Sequence, residues 1–156
     1  MSFLSKRQKP GIVNYSLVAA LLFFSFLSGC MSVQFVSEYD EVIDLTATEL
    51  QRDFTLFFIQ LEDALHTGDA AYPEFKRFYD EIMADIAVLE VRANAHPRNT
   101  RTLEQVQLLK DSIRQIEAAH QEDVLNLDMI PVMHTQIEQQ IGAIIRLEIA
   151  KKRGVE

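Results

Sequence analysis

Three of the four prolines, Pro73, Pro97 and Pro131, constrain the fold more than any other residues, because each falls where a helical spacing of apolar side chains stops. Proline inside a helix removes a hydrogen bond and clashes with the preceding turn, so these positions read as boundaries. They leave four segments of similar length, about 46–66, 73–95, 100–121 and 129–152. In the first, Thr46-Ala47-Thr48-Glu49 reads as a capping box, and Leu50, Phe54, Phe57, Phe58, Leu61 and Leu65 share one face up to Gly68. In the second, Pro73 suits a first turn, and Phe75, Phe78, Tyr79, Ile82, Ile86 and Leu89 recur three and four apart. Asn99 or Thr100 can cap the third, whose stripe is Leu103, Val106, Leu109, Ile113 and Ile116. Asp128 can cap the fourth, with Met133, Ile137, Ile141, Ile144 and Ile145 inward and Gly142 marking a close helix crossing.

Each segment would be about 30 Å long at 1.5 Å per residue. Equal lengths and short connections predict an all-α, antiparallel, up-down-up-down four-helix bundle over 46–153. No stretch alternates as a strand does. The aromatic residues beyond residue 30 all lie between Phe35 and Tyr79, so the first hairpin packs rings and the second packs Ile, Leu and Val. Rings on the same stripe as their aliphatic neighbours read as core rather than as a ligand pocket.

The first 29 residues are of another kind. Lys6, Arg7 and Lys9 precede an apolar run over 12–28, and no acid occurs among them, so the net −8 of the whole chain becomes −11 beyond them. That run is marginal for a spanning helix, which needs about 20 apolar residues, and suits a cleaved export signal. It ends in Leu27-Ser28-Gly29-Cys30, with the only cysteine in the chain last. This tetrad resembles the lipobox of bacterial lipoprotein precursors. The resemblance implies a signal peptide over 1–29, cleavage before Cys30, a diacylglyceryl group on its sulfur and an N-acyl group such as palmitate on its amine. No other cofactor is expected. Residues 30–45 would form the lipidated tether. Met31 and Ser32 stand where inner-membrane lipoproteins of enteric-type bacteria carry Asp, so sorting to the outer membrane is expected by analogy. With a single cysteine there is no intramolecular disulfide, and the periplasmic or surface fold rests on its core.

An up-down bundle returns its C-terminus to the end where the first helix begins. The expected membrane-proximal end carries Arg98, Arg101, Lys151, Lys152 and Arg153 as candidate lipid-surface contacts, with Arg92 and His96 nearby; Glu38, Asp40, Glu41 and Asp44 dilute that charge, and the alternative is an ordinary basic helix C-terminus that complements the dipole. The far end carries Glu62, Asp63, Asp69, Glu74, Glu117, Glu122, Asp123 and Asp128. Glu38 to Asp44 mixes acids with Tyr39, Val42 and Ile43. It reads first as a helical turn covering the lower end of the bundle and second as a docking strip for an envelope protein.

Chemistry is harder to find. Helical bundles host di-iron centres through Glu-x-x-His on two helices, and Glu117-Ala118-Ala119-His120 has that spacing. The matching pair is missing, and His66 and His120 read better as helix-end histidines favoured by the dipole. Neither Gly-x-Ser-x-Gly nor a phosphate-cradling glycine loop occurs, and the one thiol is assigned to lipid. The acidic balance argues against nucleic acid, which requires a cationic surface. Beyond the signal, the chain resembles small all-helical envelope lipoproteins of unassigned activity. The expectation is a non-catalytic, membrane-anchored interaction or structural protein with an envelope partner. The alternative is a carrier of an apolar ligand, or of a metal at Glu117 and His120.

Overall fold

The computed structural model describes residues 37–154. The signal segment and the motif Leu27, Ser28, Gly29 and Cys30 lie outside the described residues. Within them are four helices and no strand: α1 (Glu41–Thr67), α2 (Tyr72–Ala95), α3 (Thr100–Gln121) and α4 (Ile130–Arg153), the last preceded by a 3-10 turn at Leu127–Met129. Helix α1 packs on α4 and α2, and α3 packs on α2 and α4, with no close backbone approach across either diagonal among the described residues. This is a four-helix bundle.

Local chemistry sets the ends, not always where the spacing predicts. Helix α1 starts at Glu41, five residues before the apparent capping box at Thr46–Glu49. The Asp40 carboxylate accepts the backbone N–H groups of Val42 at 2.9 Å and Ile43 at 3.3 Å, which would otherwise go unbonded, and Glu41 and Asp44 favour the positive end of the helix dipole. The buried stripe also extends upstream, through Ile43 and Ala47 to Leu50 and Phe54. Residues 41–45 therefore belong to the bundle and not to a tether. Gly68 ends α1 at φ +81°, a left-handed conformation that a β-carbon disfavours. Asp128 lies in the 3-10 turn, which Asn126 caps, and α4 begins after it with Pro131 in its first turn. Asn99 precedes α3 but makes no capping bond, because its side chain is engaged elsewhere.

The core follows a heptad-like spacing. Phe54, Phe57, Phe58 and Tyr79 are buried together, with Phe57 stacked on Phe78 at 4.1 Å and the remaining pairs mostly edge-on. Ile113, Ile116, Ile137, Ile141 and Ile144 fill the second hairpin. Thr102, rather than Leu103, begins the buried stripe of α3. Gly142 marks no close crossing: an added β-carbon would meet only the Arg146 guanidinium of its own helix, at 3.1 Å.

Candidate functional site

The densest polar chemistry lies at one end of the bundle, where the start of α1, the end of α2, the start of α3 and the end of α4 meet. Those meetings, with the far-end contacts described below, fit an up-down-up-down order. Asp40 is almost wholly buried and takes bonds from two neighbours on or just beyond α2: one Arg92 N–H, 2.9 and 3.0 Å from its two oxygens, and His96 Nε2 at 2.8 Å. Burial opposes its charge, but Arg92, His96 and the two backbone N–H groups outweigh burial and hold its carboxyl below the usual carboxylate range.

Beside it, Glu148 and Lys151 of α4 are buried at 0% and 5% exposure. The ammonium of Lys151 donates to Glu148 Oε1, to Asn99 Oδ1 at 2.7 Å and to Thr102 Oγ1 at 2.9 Å. An ammonium has three protons, and all three are used. The other Glu148 oxygen accepts the Asp40 N–H at 3.2 Å, and Ser37 Oγ donates to Asn99 Oδ1 at 3.0 Å. Residues 37–40 are thus pinned to α2, α3 and α4 at once. A buried ion pair is costly to desolvate and persists where further hydrogen bonds complete it, as they do here.

This geometry corrects one expected lipid contact. Lys151 is enclosed, whereas Arg98, Arg101, Lys152 and Arg153 are exposed around it. Lys152 sits 4.9 Å over the Tyr39 ring, whose hydroxyl donates to Asp44 at 2.9 Å and is pushed up to about 12, mainly by that bond. The stretch from Glu38 to Asp44 is the cap and first turn of α1, with Ile43 in the core.

At the far end Glu117 and His120 do not converge. Glu117 accepts the Tyr72 hydroxyl at 2.8 Å. His120, 3% exposed, is bonded through Nε2 to the Ala70 carbonyl at 3.0 Å and through Nδ1 to the Tyr79 hydroxyl at 3.1 Å. A carbonyl only accepts, so Nε2 carries a proton toward Ala70, and in the neutral ring Nδ1 accepts from the Tyr79 hydroxyl. Burial in turn pushes the Tyr79 hydroxyl up. Both nitrogens are occupied, and among the described residues no group of three His, Cys, Asp or Glu side chains is placed to hold a metal ion.

Sequence spacing missed the end network, although it held a signal. The α4 stripe Ile137, Ile141, Ile144 continues at the same spacing to Glu148 and Lys151, placing opposite charges at core positions. The partners Asp40, Arg92, His96, Asn99 and Thr102 carry no such mark, because their meeting depends on topology.

No helix among the described residues is long and apolar enough to cross a membrane. No protein-family model, curated protein or solved structure matches the chain.

Proposed function

We propose that this chain is a lipid-anchored protein of a bacterial envelope, outer membrane rather than inner, whose helical bundle is a non-catalytic module for binding another envelope protein. One observation carries the reading: residues 37–40 enter the bundle at its basic end and are fastened there. Six residues, 31–36, separate Cys30 from Ser37, and the seven steps between those two residues span at most about 25 Å. Diacylglyceryl and N-acyl groups on Cys30 would therefore hold Arg98, Arg101, Lys152 and Arg153 close to lipid headgroups. Two or more acyl chains make such an anchor stable, where one alone does not.

The carrier alternative has less support. The rings of the first hairpin occupy one another's space, and Glu117 and His120 are spent on separate hydrogen bonds. Intact-mass and peptide mass spectrometry of the protein extracted from membranes tests the anchor. The expected N-terminal peptide begins at Cys30 and carries glyceride and amide-linked acyl mass, and Cys30→Ala abolishes both cleavage and acylation. A chain still beginning at Met1, or a Cys30 thiol that remains free to alkylate, overturns the reading.

A further inference from the structure

The seam between α1 and α2 is the loosest in the bundle, since α1 packs far more extensively on α4 than on α2. It leaves a groove of about 660 Å³ with Phe57 and Phe78 at its floor and the half-exposed Leu56 on its rim. Further along the same seam, Val42, Val88 and Val91 form an exposed apolar patch, Val91 being 71% exposed. From Val42 to Gln60 the α1 side of the seam runs for about 27 Å, five helical turns.

Charge narrows the choice of occupant. Arg52 pairs with Asp53 at 2.9 Å and Arg77 with Glu81 at 3.0 Å, which leaves Glu49 of α1 and Asp85 of α2 with no cation among the described residues. Burial, together with the charges of Asp53, Glu49 and Glu81, pushes the Asp85 carboxyl above the usual carboxylate range. An apolar floor beneath unmatched carboxylates suits a ligand that is apolar on one side and basic beside it. A second copy would bring two more unmatched carboxylates to the seam and no spare cation, its Arg52 and Arg77 being paired already, and an anionic lipid surface would be repelled by them.

We infer that the α1–α2 groove docks an amphipathic helix of a partner protein, with apolar residues over Phe57 and Phe78 and a lysine or arginine between Glu49 and Asp85. This names the surface and partner chemistry of the interaction module and rests on that reading. The mode is helix-in-groove recognition, in which apolar anchors three and four apart provide the contact and charge sets the register.

The test places the full chain in zwitterionic nanodiscs, with empty discs as control, and titrates it with a fluorescent helical peptide of about 20 leucines and lysines. The lysine peptide binds and its glutamate counterpart does not. Glu49→Gln with Asp85→Asn weakens binding about tenfold, as loss of two rim ion pairs would. Glu104→Gln with Asp111→Asn, which removes the same charge from α3, leaves it unchanged. Benzoylphenylalanine at position 84 crosslinks to the peptide, and at position 108 it does not. Equal weakening by both double variants, crosslinking from position 108, or a chain-to-chain or lipid adduct at position 84 overturns the inference. Mass analysis of Cys30 on the same sample separates the two readings. An unacylated Cys30 with groove binding intact sinks the anchor alone, and an acylated chain that ignores the peptide sinks the groove alone.

Discussion

Asp40 is where a single side chain serves the most purposes: it caps α1, receives Arg92 and His96, and offers its backbone N–H to Glu148. Its carboxyl titrates lower in the folded chain than the roughly 3.9 of an unfolded one, so the folded state binds that proton less readily. The stabilisation is complete above about pH 4 and drains away as the pH falls through the lower folded value. Asp40→Asn keeps the cap, because Asn is as good there, but loses the charge. Denaturant unfolding at neutral pH should then show a loss of about 1–2 kcal/mol, allowing for the solvent that reaches Arg92, and a shallower acid limb. Unchanged stability from pH 2 to 7 would mean that the carboxylate contributes nothing. Sequence reading could see Asp40 only as one acid among several, because its partners lie 52, 56 and 108 residues away along the chain.

The two glycines at the element scale illustrate opposite uses of a missing β-carbon. Gly68 adopts φ +81° to end α1, with open space around it, so Gly68→Ala strains the backbone without a clash and should cost about 1 kcal/mol. Gly142 lies within α4 against a flexible guanidinium, so Gly142→Ala should gain roughly 0.5–1 kcal/mol as Arg146 swings aside. Thermal melts should move by about 4 °C in opposite directions. Four helices and their inward faces were legible because three- and four-residue spacing and proline placement are local signals. The start of α1 was not, since Thr46–Glu49 has the composition of a capping box while Asp40 performs the capping. Ile43 and Ala47, which extend the stripe upstream, show what could have corrected it.

For the whole molecule the charges are polarised. Arg98, Arg101, Lys152 and Arg153 are exposed at the end where residue 37 enters and outnumber the exposed Glu38 and Glu41 there, and Glu62, Asp63, Asp69, Glu122, Asp123 and Asp128 are exposed at the other. Each basic side chain close to an anionic bilayer is worth about 1 kcal/mol, so four together can tilt the bundle. With the chain carrying the proposed acyl groups on vesicles, amide exchange over 96–101 should slow on anionic lipid but not on zwitterionic lipid, and replacing all four by Gln should erase the difference. Equal exchange on both lipids would remove the orientation. The α1–α2 groove escaped sequence reading for the same reason as the end network: it exists only between elements, and Glu49 and Asp85 look like ordinary surface acids until α2 folds back on α1.

The fastening of Ser37 and Asp40 to three other helices also decides how the bundle bears tension. A pull on residue 37 falls first on the bonds to Asn99, Arg92, His96 and Glu148, so the first turns of α1 are not loaded until those bonds give way.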